Sequence, residues 1–225
     1  MRVAALYDVH GNIRALEAVL EDVPDDARIL VGGDVAAGPF PRETVDRLRP
    51  LGERALWIRG NADRELTLGE PGLAPPETME WLRGRLDPTT IAWLHELPPT
   101  LDLDVEGVGH VLFCHATPLN DVDIFTERTP EADIADQFAV GADLVVCGHT
   151  HTQFERTIGG VRVVNSGSVG MPYEDEPGAY WTLLGPGVEH RRTPYELETG
   201  DYPFEWPSAT REEAVAFFET RAVGR

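Results

Sequence analysis

The sequence predicts a layered α/β fold, and three observations carry that expectation. Short apolar runs alternate with amphipathic stretches along the first half of the chain. Several of those runs end in blocks rich in Asp, Asn, His and Gly, the composition of turns placed just beyond buried strands. The second half is dominated by further short apolar runs, and a Gly159-Gly160 pair between two of them is a hairpin signal.

Residues 2–7 (Arg-Val-Ala-Ala-Leu-Tyr) read as a buried strand. Residues 13–22 carry Ile13, Leu16, Val19 and Leu20 at helical spacing, which predicts a helix. A second strand is expected over 28–32, a second helix over 42–51 and a third strand over Ala55-Leu56-Trp57-Ile58. Residues 76–97 read as one or two helices, broken near Asp87-Pro88 because the residue before proline avoids helical geometry. Strands follow at 100–105, 109–114, 143–147, 153–158, 161–165 and 179–184, and 130–140 is the only helix expected between 98 and 200. The tail, 201–225, is rich in Pro and aromatics and then helical from about Thr210. The expected organisation is one domain over 1–200 with 201–225 as an extension packed on it, capping an edge strand or reaching out as a dimer arm.

At 225 residues the chain is long enough to bury a core without disulfides or structural metals, and its 42% hydrophobic and 26% charged residues are those of a globular domain. No stretch approaches the roughly 18–20 uninterrupted apolar residues of a membrane span. The N-terminus reaches Asp8 too early for a secretory signal, so the expected compartment is the cytoplasm, with no membrane association. Asp plus Glu number 39 against 19 basic residues, all Arg, for a formal net charge of −20. Such a surface repels polyanions and disfavours a groove for long nucleic acids. The two cysteines, Cys114 and Cys147, each end an apolar run and read as reduced, buried thiols, with neither a zinc-ribbon spacing nor a CxxC pair.

The chemistry gathers at predicted strand ends. The first strand ends in Asp8-Val9-His10-Gly11-Asn12, the second in Gly33-Asp34 and the third in Arg59-Gly60-Asn61-Ala62-Asp63. Later ones end in Cys114-His115-Ala116 and Cys147-Gly148-His149-Thr150-His151. Side chains at the carboxyl ends of strands converge on a ligand crevice in layered α/β folds. Carboxylate, carboxamide and neutral imidazole donors suit Mn, Fe, Zn or Mg better than a thiolate-seeking metal. Two cations held roughly 3.5–4 Å apart form a hydrolytic clamp for phosphoryl oxygens.

The ordered series Asp-x-His, Gly-Asp, Gly-Asn-x-Asp, His, Gly-His-x-His resembles the calcineurin-like metallophosphoesterase superfamily over residues 1 to about 185. The run from Asp8 to Leu20, Gly38-Pro39, and Asn165-Ser166-Gly167-Ser168-Val169-Gly170 are similar to its small prokaryotic phosphodiesterase and phosphatase branch. The resemblance implies a four-layer α/β/β/α sandwich of two mixed sheets. It also implies two divalent metal ions, Mn²⁺ foremost, with Fe, Zn, Ni or Mg as alternatives. Asp8, His10 and His151 would hold the first metal; Asn61, His115 and His149 the second; Asp34 would bridge both. A metal-bridging hydroxide would attack phosphorus in line, which makes Asp34, His10 and Asn61 the residues nearest the chemistry. The implied partner is a small phosphorylated substrate, and a homo-oligomer stays open.

One position departs from the family pattern. Many members carry histidine where this chain has Ala62, and that histidine assists the leaving group or binds the phosphate. A missing general acid costs about 10²–10⁴ in rate when the leaving group is poor. The departure therefore favours activated diesters or anhydrides, of nucleotide type, over simple alkyl monoesters. The neighbouring Asp63 is expected to fix loop geometry rather than to donate a proton.

Asn12 has two readings, a helix N-cap and a substrate-binding contact to phosphate at the same helix end. The Asn165–Gly170 loop is expected to wall the pocket, while Arg14 and Arg64 read as surface ion-pair partners. Trp57, Trp93, Phe204 and Trp206 read as packing residues, with base stacking open to the tail aromatics only if the tail folds over the site. Specificity is expected to lie in the segments 64–98 and 116–130. The competing functional readings are a phosphomonoesterase, including a protein serine/threonine phosphatase, and a phosphoesterase-like scaffold without catalysis, as in the retromer subunit of this fold.

Overall fold

The structure is a computed structural model that describes residues 1–68 and 75–224; residues 69–74 of the expected specificity segment lie outside the described residues. Two five-stranded mixed sheets face each other, with helices on the outside. The first sheet contains β1 (Arg2–Leu6), β2 (Ala27–Val31), β3 (Ala55–Trp57), β9 (Ala179–Leu184) and β10 (Val188–Thr193), in the order β10-β9-β1-β2-β3. The second contains β4 (Thr100–Val105), β5 (Gly109–Cys114), β6 (Leu144–Cys147), β7 (Gln153–Ile158) and β8 (Val161–Ser166), in the order β4-β5-β6-β8-β7.

Both sheets are mixed, the first with antiparallel pairing at one side only and the second with antiparallel pairing at both edges. In the first, β1, β2 and β3 run parallel, while β9 is antiparallel to both β1 and β10. In the second, β5, β6 and β8 run parallel, and β4 and β7 close the edges as antiparallel partners of β5 and β8. The period-two rule then splits every central strand between two cores. Val3, Ala5 and Tyr7 face the inter-sheet core with Leu30, Phe113 and Val146. Ala4 and Leu6 face outward with Ile29 and Val31, under the helices. Leu112, Cys114, Val145 and Cys147 form the outer face of the second sheet. Both thiols are free and buried, and burial pushes both well above the ordinary thiol range.

The outer core of the first sheet is covered by α1 (Ile13–Asp22), α2 (Pro41–Leu48), α3 (Asn61–Leu68), α4 (Pro76–Arg83) and α5 (Pro88–His95). Asn12 starts α1 and Asp87 starts α5 by accepting backbone N–H groups of the first turn. The predicted helix over 42–51 stops at Leu48, and Arg49–Arg54 tightens into a 3-10 segment around Pro50. The helix expected over 130–140 is shorter: α6 (Glu131–Ile134) passes into a 3-10 turn over Ala135–Phe138. Two elements lie outside the sequence expectation. β10 reads Val-Glu-His-Arg-Arg-Thr, an exposed edge strand without alternation, and α3 begins inside a block that reads as a loop. Trp57 and Trp93 meet edge-on at 4.8 Å within the outer core, as packing residues.

The tail crosses the carboxyl ends of the first sheet and ends in α7 (Arg211–Glu219), which opens with a reciprocal Thr210–Glu213 capping box. Its anchors are specific. Asp201 pairs with Arg85, whose guanidinium lies 3.5 Å over the Trp81 ring, and Trp81 meets Tyr202 edge-on. Arg211 binds Glu174, Glu127 and the Gln153 carbonyl. No helix among the described residues is long and apolar enough to cross a membrane.

Candidate metal centre

The strand-end blocks meet where the carboxyl ends of the two sheets adjoin, and all seven candidate ligands are buried there. Asp8 follows β1, Asp34 follows β2 and Asn61 opens α3 after β3; His115 follows β5, and His149 and His151 follow β6. Among the described residues, two groups could each hold a metal ion: Asp8, His10 and His151, and Asp8, Asp34 and His115. Asp8 Oδ1 lies 3.3 Å from His151 Nε2 and 3.8 Å from both His10 Nε2 and His115 Nε2. Asp8 is common to both groups, and Asp34 Oδ2 lies 3.5 Å from His115 Nε2 and 3.9 Å from His10 Nε2. Asn61 Oδ1 faces His115 Nε2 at 3.1 Å, and the His149 ring lies edge-on to that of His115 at 5.2 Å.

The other nitrogen of three imidazoles is fixed by a backbone carbonyl. Nδ1 of His10, His115 and His151 meets the carbonyls of Ala37, Gly32 and Met171 at 3.1, 2.9 and 2.8 Å. An Nδ1–H donated to a carbonyl leaves the Nε2 lone pair turned inward, the tautomer a metal ligand needs. Glu65 does the same for Asn61 by accepting its Nδ2 at 3.2 Å, so that the carbonyl oxygen faces the cluster.

The residues fit a cation. Asp8 Oδ1 and His149 Nε2 are buried with no hydrogen-bond partner. His10 Nε2 and His151 Nε2 point at each other across 3.2 Å, although two lone pairs cannot bond one another. Burial opposes the charged forms of Asp8 and Asp34, yet surrounding imidazoles hold both below the ordinary carboxylate range. Burial likewise opposes a charged His115, but Asp34 and Asp8 pull it up to about 10. Burial, then His115, holds His149 down at about 4. The field of this cluster calls for positive charge.

The backbone carries the same message. Asp8, His10, Asp34, His149 and His151 have φ of 54°, 46°, 53°, 70° and 58°, and among the described residues they are the only non-glycine residues in the left-handed region. Each such conformation costs of order 1–3 kcal/mol and persists where its surroundings enforce it. Here the enforcing bonds are explicit. His10 N–H and Gly11 N–H donate to Asp34 O and Val35 O, while Gly170 N–H and Ser168 Oγ both donate to Asp8 O. A Cβ on Gly170 would collide with the Val9 carbonyl, so that approach requires glycine. Asn165 donates from Nδ2 to Gly148 O and Thr150 Oγ1, holding the loop that presents His149 and His151.

Asp63 belongs to this framework. Its Oδ2 accepts Asp34 N–H at 2.8 Å and Gly60 N–H at 3.1 Å, and its Oδ1 accepts Val35 N–H at 3.1 Å. Burial and the charge of Asp34 push it up to about 7, opposed by the N–H donors of Gly60 and Val35.

Two expectations are corrected. Asn12 is not available to substrate: Oδ1 accepts Ala15 N–H, and Nδ2 donates to Gly170 O and Tyr195 Oη. Its polar valences are spent inside the protein and it is fully buried, which leaves it the N-cap. The Asn165–Gly170 loop is a brace rather than a pocket wall, because Val169 and Gly170 donate to Tyr7 and Asp8 carbonyls. Arg14 pairs with Glu198 and Arg64 with Asp121.

Above the cluster opens a cavity of about 710 Å³. His10, Asp34, Asn61, His149 and His151 line its floor, with Ala62 and Glu65 beside them. Its walls include Met79 and Leu82 of α4, Tyr202 and Phe204 of the tail, and Phe217 and Phe218 of α7. Tyr173 stacks on His151 at 5.1 Å and joins the same wall. Of the two tail aromatics read from the sequence as packing residues, Phe204 thus stands over the site beside Tyr202, whereas Trp206 is not among the described lining residues. Alternating aromatics and prolines carry no periodicity, so only the three-dimensional path of the tail reveals this.

Residues 1–184 match the calcineurin-like phosphoesterase superfamily domain. Among curated proteins the chain is similar to the uncharacterized protein MJ0912 of Methanocaldococcus jannaschii, 29% identical over 193 residues, covering 82% of this chain and 74% of that one. It is similar also to phosphodiesterase YfcE of Escherichia coli, 24% identical over 195 residues, covering 81% and 87%. Among solved structures it resembles a metallophosphoesterase from Sphaerobacter thermophilus with a TM-score of 0.71 and 25% identity, covering 87% and 90% of the two chains.

Proposed function

The chain belongs to the calcineurin-like phosphoesterase superfamily and is a metal-dependent hydrolase of phosphoester bonds, and from that premise we propose that it is a two-metal phosphodiesterase. In this reading Asp8, His10 and His151 would hold one divalent cation, Asn61, His115 and His149 would hold the second, and Asp34 would serve both. The observation that supports it best is the buried convergence of three inward-turned Nε2 atoms on the unpartnered Asp8 Oδ1. Two divalent cations, when bound, supply a water of lowered pKa and neutralise charge on the phosphoryl oxygens. Manganese is the metal we expect to serve best in the assay.

This chain's own residues do the positioning. Ala37, Gly32 and Met171 carbonyls set three imidazole tautomers, Glu65 sets the Asn61 amide, and Asp63 fixes the loop carrying Asp34. Ala62 lines the cavity beside Asn61 and offers no proton to a departing oxygen. A leaving group stable as an anion needs none, and that favours activated diesters over alkyl monoesters.

The test is a paired assay on metal-stripped protein reloaded with Mn²⁺, comparing bis(p-nitrophenyl) phosphate with p-nitrophenyl phosphate, with His115→Ala as control. Both release the same phenolate, so their ratio reports the diester preference. Dominant diester turnover that vanishes in the control is the expected result. Dominant monoester turnover overturns the diesterase reading in favour of a phosphatase, and no metal-dependent turnover of either favours a scaffold.

A further inference from the structure

We propose that the cavity over the metal cluster is a subsite for a bulky, ring-bearing apolar group on a singly charged phosphodiester, and that the C-terminal tail confers this specificity. The inference rests on the phosphodiesterase reading above and adds the chemical class of the esterified alcohol.

The first argument is the wall. At about 710 Å³ the cavity falls within the range of small-molecule sites, far more space than a phosphate and a methyl group fill. Met79, Leu82, Tyr202, Phe204 and Phe218 surround it with apolar and aromatic surface. Such surface gains free energy by covering a ring and gains nothing from a charged or strongly hydrated substituent.

The second argument is charge. Among the described lining residues there is no Arg, and the chain contains no Lys. Glu65 and Glu205 line the cavity instead, and Glu65 Oε2 is buried without a hydrogen-bond partner. Beyond the cluster, a further phosphate would therefore meet carboxylates and no counter-charge. A single-charge diester has no such phosphate, and a donor group on its ring would satisfy Glu65 Oε2.

The third argument is that the wall is built in place. Tyr202 and Phe204 meet edge-on at 5.4 Å, and Trp81 meets both rings, at 5.1 and 6.3 Å. The Arg85–Asp201 ion pair ties the start of this segment to the end of α4. Rings held by their neighbours offer a preformed surface, which lowers the entropy lost on binding.

The experiment compares 2-naphthyl p-nitrophenyl phosphate with methyl p-nitrophenyl phosphate on the Mn²⁺-loaded protein, since both carry one charge and release the same phenolate. The expected result is a kcat/KM ratio of tenfold or more in favour of the naphthyl ester, expressed mainly in KM. Phe204→Ala, and Tyr202→Leu as a milder second variant, should each lower that ratio severalfold. Equilibrium binding to metal-stripped protein supplies an independent readout: 2-naphthyl methyl phosphate should bind more tightly than the doubly charged 2-naphthyl phosphate, and Phe204→Ala should weaken it. Turnover of both esters at a ratio near one, unmoved by either tail variant, overturns the subsite while leaving the phosphodiesterase reading intact. Ring binding lost in Phe204→Ala, with no turnover of either ester, supports the subsite and overturns the phosphodiesterase reading.

Discussion

His10 and His151 turn their Nε2 atoms toward each other across 3.2 Å, from loops that follow strands in opposite sheets. With both Nδ1 atoms donating to carbonyls, neutral rings leave no proton between the two Nε2 atoms, whereas a cation with Asp8 Oδ1 as a third ligand satisfies all three atoms. Divalent metal should therefore stabilise the fold. At a hundredfold excess over Kd the gain is about 2.7 kcal/mol, read as a rise in Tm over an EDTA-treated sample. His151→Ala should lose most of the increment, and an unchanged Tm in the wild type on adding Mn²⁺, Zn²⁺ or Fe²⁺ would refute the site.

Asp63 acts through Asp34. Its two oxygens accept three backbone N–H groups around the Asp34 loop. In Asp63→Asn one oxygen becomes an NH₂ that faces a donor, and the loop must shift. Metal affinity should fall about 10–100-fold while far-UV circular dichroism stays native. An affinity equal to wild type in a metal titration would show that the loop holds Asp34 without Asp63.

In the proposed function Ala62 sets the leaving-group requirement. Ala62→His restores a donor beside Asn61 and should raise monoester turnover relative to diester turnover by roughly tenfold or more. The same ratio in variant and wild type would remove Ala62 from any account of specificity.

The tail should report on the site from a distance. Arg211 joins α7 to Glu174, Glu127 and the Gln153 carbonyl, and it is only partly exposed. Arg211→Ala should destabilise the protein by about 1–3 kcal/mol in urea unfolding. Because Phe217 and Phe218 of α7 line the cavity, KM for an aryl diester should rise more than kcat falls. A change in kcat alone would place α7 outside the binding surface.

The sequence revealed the candidate ligand blocks and most strands because both are local signals: polar clusters closing apolar runs, as at Asp8-Val9-His10 after β1. It did not reveal β10, because an edge strand with one buried residue has no alternation to read. Nor did it show α3, whose first turn is the Gly60-Asn61-Ala62-Asp63 block itself. Asn12 was ambiguous because the same helix N-terminus can be capped from within or by a phosphate. Its two long-range partners, Gly170 and Tyr195, decide the matter, and neither is foreseeable from local pattern. The role of Tyr202 and Phe204 depends on the path of a segment whose partners lie on α4.

The candidate ligands span residues 8 to 151, and the two sheets divide them: Asp8, His10, Asp34 and Asn61 from one, His115, His149 and His151 from the other. A bound cation is thus a rivet between layers that also meet through an apolar core and through hydrogen bonds such as Tyr7 Oη to Val146 O, Ser166 Oγ to Ala5 O and His115 Nδ1 to Gly32 O. Sliding one sheet across the other would have to tear out the rivet first. Loading the centre should therefore fuse two layers that could otherwise open separately into one cooperative unit of unfolding.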